Sequence, residues 1–133
     1  MIEREGRNPF LPETEEDFAR LAALVVHRAP FVPRPLLDAV ARRRLLHREL
    51  EARIFRQIVS DPLEARIRGL ATPALAVWGE HDRIVDPAAA EVLRALMPQA
   101  RIVRMPGVGH LPMIERPAQT AADYLRFRAS LAI

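Results

Sequence analysis

The sequence predicts an α/β protein: a helical segment over residues 1–70, followed by a βαβα unit with two parallel strands over residues 71–133. Three observations lead there. Apolar residues recur at helical spacing up to about Leu70. Ala74–Trp78 is a continuous apolar run between Pro73 and Gly79, the pattern of a strand buried on both faces and hence of a parallel sheet. Arg101–Met105 reads as a second strand, and the stretch between the two, Pro87–Met97, reads as a helix.

Thr14-Glu15-Glu16-Asp17 has the form of a capping box with acids in the first turn, and Phe18, Leu21, Ala22 and Val25 follow at helical spacing, so a first helix is expected over Glu15–His27. Three prolines between Pro30 and Pro35 then forbid helix and predict an ordered linker with an exposed Phe31. Pro35 suits the first turn of a second helix with Leu36, Leu37, Val40 and Ala41 on one face. Leu46, Leu50, Ile54 and Ile58 make the stripe of a third, ending near Asp61-Pro62. Leu63, Ile67 and Gly69 give a short fourth with a glycine stop. After the first strand, Asp86 is expected to cap the helix that begins at Pro87. A last helix from about Pro117 to Leu131 should cover the sheet with Ala121, Tyr124, Leu125 and Ala129. The βαβ crossover is expected to be right-handed.

With 133 residues, half of them hydrophobic, the chain has the material for a packed core. It contains no cysteine, which removes disulfides and thiolate zinc sites. Its start, Met1–Arg7, is charged and lacks an apolar signal region, and no apolar run approaches the ~18 residues of a membrane span, so a cytoplasmic location is the default expectation. All twenty basic residues are arginine, which lifts the sequence pI to 10.8 at a net charge of only +3. Seventeen acids are interspersed among them, so a nucleic-acid partner is not expected.

The chemistry-bearing residues lie at the ends of the two strands. Gly79-Glu80-His81-Asp82 puts an acid just beyond the first, and Gly107-Val108-Gly109-His110 puts a histidine just beyond the second. Catalytic groups of parallel sheets gather outside these C-terminal ends. An aspartate there can accept from a histidine Nδ1–H, fix its tautomer and stabilise the imidazolium formed when Nε2 takes a proton.

The run Thr72–Val85, together with Gly109-His110-Leu111-Pro112-Met113-Ile114-Glu115-Arg116-Pro117, closely resembles the last two strands of α/β-hydrolases. Residues 1–70 look like the helical cap or lid of that family's lipase- and esterase-like members. The resemblance implies a partial α/β-hydrolase fold, carboxylic-ester hydrolysis, and the roles of triad acid for Asp82 and triad histidine for His110. It implies no cofactor and no metal. The sequence departs from the family in one large respect: it has no Gly-x-Ser-x-Gly elbow, and its only serines are Ser60 and Ser130. The expectation is therefore a hydrolase piece that lacks the nucleophile and is inactive alone. It would be completed by a missing N-terminal half or by homo-oligomerisation through an open sheet edge. The alternative is a non-catalytic interaction or assembly module. The same two motifs accompany dehalogenases, epoxide hydrolases, C–C hydrolases and cofactor-free haloperoxidases of this fold, and the missing nucleophile decides among them.

The remaining candidates have plainer readings. Asp86 is a helix cap before it is a catalytic acid. His81, Asp82 and Asp86 do not converge as a metal site. His27 and His47 are expected to be solvated, and Glu115 to act structurally at the start of the last helix. The arginines from Arg42 to Arg56 form a solvated, ion-paired face, with Glu49 placed four residues before Arg53. Phe10, Phe31, Val32 and Phe55 either line an acyl cleft or pack the helices.

Overall fold

A computed structural model describes residues 8–131. The charged start Met1–Arg7 and the reading attached to it lie outside the described residues. The chain divides into two compact units, Met1–Ala23 with Phe31–Pro62, and Leu24–Pro30 with Leu63–Ile133.

The first unit is helical. Helix α1 spans Glu15–Val25, its last two residues belonging to the second unit, followed by α2 (Arg34–Leu46) and α3 (Arg48–Ser60). The capping box forms as its sequence dictates: the Asp17 amide donates to Thr14 Oγ1 at 3.1 Å and the Thr14 amide to Asp17 Oδ2 at 3.0 Å. Each bond satisfies an N–H that the helix cannot. The first helix ends two residues earlier than expected, at Val25, and Leu46 closes α2 instead of opening α3, with His47 as the joint. Phe10 stacks on Phe55 at 5.7 Å between centroids, so this pair packs, whereas Phe31 is 92% exposed on the linker. Arg44 lies over the Phe18 ring and pairs with Glu51 at 2.6 Å, and this contact takes the place of the Glu49–Arg53 pair expected from spacing. Leu21 and Ala41 are buried, but the expected core stripe of α3 is not. Leu50, Ile54 and Ile58 are 44%, 45% and 67% exposed.

Hydrogen bonds from Arg20 first, and then the Thr14 bond, hold the Asp17 carboxyl at about 2, down from an ordinary 3.8. A lowered folded-state value stabilises the fold fully above 3.8, and that contribution fades as pH falls toward about 2. Asp17→Asn is therefore expected to flatten that limb of an acid titration followed by far-UV circular dichroism. An unchanged limb would remove Asp17 from the account.

In the second unit the elements are α4 (Glu64–Ile67), β1 (Leu75–Gly79), α5 (Ala89–Leu96), β2 (Arg101–Met105), α6 (Pro112–Glu115) and α7 (Pro117–Ser130). Gly69, at φ +74°, ends α4 in the left-handed region that favours glycine. The two strands pair in parallel, with Leu75 opposite Arg101 and Gly79 opposite Met105. Their C-terminal ends are thus level, and the loops that follow leave from the same edge. Leu96, Met97 and Ala100 form a buried cluster with Ile67, Ala74 and Leu93 packed on it, and Met105 and Val108 are fully enclosed. Burying each of these last two side chains contributes about 1.5–3 kcal/mol.

Three expectations are corrected in this unit, and one element was not foreseen. Strand β1 is half-buried over Leu75–Trp78, not buried on both faces, because its sheet has only two strands among the described residues. Helix α5 begins at Ala89, after a turn in which Asp86 Oδ1 accepts from the Ala88 amide at 2.9 Å. The one-turn helix α6 is too short for its periodicity to be visible in the sequence. The face of α7 is reversed: Tyr124 and Leu125 are 55% and 58% exposed, while the buried residue is Asp123. Asp123 binds Arg126 through Oδ1, and its Oδ2 is buried without a hydrogen-bond partner among the described residues.

Candidate active site

The level ends of β1 and β2 set up the site. The Glu80 amide donates to the Met105 carbonyl at 3.0 Å, extending the ladder one residue past the strand, and the His81 amide donates to the Val108 carbonyl at 2.9 Å. These bonds draw the turn after β1 against the loop after β2. Gly79 makes the approach possible. A Cβ placed there would meet the carbonyl oxygens of Gly109 and Val108 inside van der Waals distance and the Val108 carbonyl carbon at 2.6 Å. Gly107, at φ +68°, supplies the reversal that turns the loop.

This backbone framework brings Asp82 and His110 together, with His110 Nδ1 2.8 Å from Asp82 Oδ2. The Asp82 side chain is 5% exposed and that of His110 35%. The other carboxylate oxygen is also committed, Asp82 Oδ1 accepting from the Ile84 amide at 2.8 Å and the Val85 amide at 2.9 Å. A buried carboxylate so bonded has little freedom to turn away from the ring. With Nδ1 engaged, Nε2 is the nitrogen left for a proton transfer, and it has no protein partner among the described residues.

The other candidates fall elsewhere. Asp86 spends its side chain on the Ala88 amide. Among the described residues no cluster of three His, Cys, Asp or Glu side chains has the geometry to hold a metal. Each serine hydroxyl is engaged within its own helix: Ser60 Oγ donates to the Gln57 carbonyl at 3.1 Å and Ser130 Oγ to the Phe127 carbonyl at 2.6 Å.

Two features were not legible in the sequence. His27 is exposed, as expected, but its ring also lies against that of His81, tilted by 32° at 4.1 Å between centroids. Glu115 ends α6 and clasps backbone, its Oε1 accepting from the Gly109 amide at 2.8 Å and its Oε2 from the amides of His27 at 3.1 Å and Arg28 at 2.8 Å. The GHxxxxE spacing was a signal that Glu115 mattered, but nothing in it pointed to residues 27 and 28.

Comparison with known proteins gives a consistent picture. A family model for the alpha/beta hydrolase fold matches residues 8–117. Lipase 1 of Psychrobacter immobilis is 36% identical over 127 residues, covering 93% of this chain and 40% of the lipase. Lipase 3 of Moraxella sp. is 35% identical with the same coverage of both chains. The crystal structure of a membrane phospholipase A, described as a bacterial virulence factor, superposes with a TM-score of 0.86 at 35% identity, over 94% of this chain and 41% of that one. The chain thus spans about two fifths of the length of each relative. Among the described residues, no helix is long and apolar enough to cross a membrane.

Proposed function

The chain belongs to the α/β-hydrolase fold family, and on that premise we propose that it supplies the acid and the histidine of a serine-type triad for carboxylic-ester hydrolysis. Asp82 orients His110, and the nucleophile comes from polypeptide outside these 133 residues. The observation that carries this reading is the 2.8 Å bond between His110 Nδ1 and a buried Asp82 whose second oxygen is held by two amides. The likeness to two lipases and a phospholipase supports a lipid-like ester as substrate.

In the proposed reaction Nε2 of His110 takes the serine proton as the serine oxygen bonds to the ester carbonyl carbon. His110 then returns that proton to the departing alkoxide. Water attacks the acyl-serine in the same way, releasing the carboxylic acid and restoring the serine. Asp82 remains ionised throughout and stabilises the imidazolium. Residues 1–70 serve in this reading as a cap, and the exposed apolar side chains of α3 support it, since a cap over an acyl chain presents such a surface.

The test is turnover of a short-chain nitrophenyl ester by the purified chain and by its His110→Ala variant. Equal, near-background rates are expected. Turnover that vanishes in the variant would mean that a nucleophile resides in this chain and would overturn the proposal.

A second reading is an assembly module completed by self-association or by a partner chain. It is favoured by the Oδ2 of Asp123, buried without a hydrogen-bond partner among the described residues, and by a sheet that has only two strands among those residues. Light scattering after size-exclusion chromatography is expected to show association of the isolated chain. A monodisperse monomer at the highest attainable concentration would sink the self-association arm.

A further inference from the structure

We propose that Glu115 is a positioning residue for His110 that acts through the backbone of the histidine loop. The proposal rests on the reading of His110 as proton carrier. One carboxylate gathers three amides from two segments far apart in sequence: Gly109, immediately before His110, and His27 with Arg28. The next amide along the loop, that of His110 itself, donates to the Val25 carbonyl at 2.9 Å. Two successive peptide groups at the root of the imidazole are therefore tied to residues 25–28, one directly and one through Glu115.

The loop needs such a tie. Gly107 and Gly109 lack a Cβ and leave the loop that carries His110 more backbone freedom than other residues would. At Gly109 a Cβ would lie 2.6 Å from the His27 amide nitrogen and 2.9 Å from Glu115 Oε1, so the glycine that loosens the loop is also what lets the clasp close. The clasp requires a carboxylate. Three N–H donors converge on it, and an amide in its place would turn an NH2 group toward at least one of them. Asp82 is fixed by its own pair of amides, so the clasp leaves both ends of the Asp82–His110 bond anchored to backbone.

The experiment follows the four histidine rings of the full chain by nitrogen-detected NMR in the unsubstituted protein, in Glu115→Gln and in Asp82→Asn. In folded Glu115→Gln the Nδ1–H of His110 is expected to exchange with solvent about tenfold faster, or to vanish. That is the factor attached to losing one hydrogen bond to a charged acceptor. The Ile84 and Val85 amides should keep their protection, which separates lost positioning from general loosening. An unchanged Nδ1–H in this variant overturns the proposal. Asp82→Asn tests the underlying reading separately: there the Nδ1–H signal should be lost, and its persistence would overturn the acid–histidine pair itself, whatever Glu115 does. Should Glu115→Gln not fold, the unsubstituted chain decides. The Arg28 and Gly109 amides and the His110 Nδ1–H are expected to exchange at one common rate, and unrelated rates overturn the clasp.

Discussion

Turnover of a nitrophenyl ester is expected to fall about 10⁴-fold or more on His110→Ala, and about 10⁴-fold on Asp82→Asn, when this chain replaces the matching two fifths of one of its lipase relatives in a chimera that supplies the proposed serine. The two losses have different origins. Without His110 nothing takes the serine proton, and the oxygen must attack as a neutral hydroxyl. With asparagine at position 82 the ring remains, but the carboxylate that fixes its tautomer is gone, and an amide NH2 facing Nδ1 favours the tautomer whose Nε2 already carries a proton. A 10⁴-fold loss corresponds to about 5.5 kcal/mol of transition-state stabilisation. That is more than a surface ion pair contributes, and it reflects a carboxylate only 5% exposed, bonded to the ring at 2.8 Å and held by two amides. The losses should not add: the double variant is expected to be little worse than His110→Ala, because in the proposed reaction both residues serve one proton transfer. The expectation is a fall in kcat with little change in KM. A chimera in which Asp82→Asn keeps full activity would assign the acid to another residue.

What could be read from the sequence was local, and what could not was carried by backbone. Asp82 and His110 were legible because each sits a few residues beyond a strand whose end is marked by glycine or proline, and parallel pairing brings such ends level. Gly79 opposite Met105 is the register that does so. The clasp of Glu115 was invisible because two of its three partners are amides 87 and 88 residues away, and an amide carries no side-chain signature. The contact of His27 with His81 follows from the same path of residues 25–28 and was equally hidden. Hydropathy misled at two places. In α7 it favoured the face with Tyr124 and Leu125 over the one with Asp123, since a buried carboxylate counts as polar wherever it lies. In α3 the four-residue repeat predicted the helix well but not the burial of its stripe: periodicity specifies which residues share a face, not what covers that face.

Gly79→Ala is expected to destabilise the second unit by about 3 kcal/mol, lowering its midpoint of thermal unfolding by roughly 12–24 °C, and to dissolve the Asp82–His110 bond. The magnitude follows from what the new methyl would strike. Gly69 and Gly107 have open space, so alanine there costs only the left-handed backbone, about 1–2 kcal/mol. At Gly79 the obstacles are the carbonyls of Val108 and Gly109, which cannot rotate away. The Val108 carbonyl is also the acceptor for the His81 amide, so the turn bearing Asp82 and the loop bearing His110 must separate to admit the methyl. The site thus fails together with the packing beneath it: Val108, 1% exposed, moves with its own carbonyl. Calorimetry with the histidine NMR spectrum would check both halves of the expectation. The informative comparison is Gly107→Ala, which should be destabilised by less yet keep its Nδ1–H signal, since its cost is in the loop's turn and not in the distance between the two strands' ends. If Gly79→Ala proves the milder of the two, the approach of the loops is looser than the carbonyl contacts indicate, and the bond they set up does not depend on it.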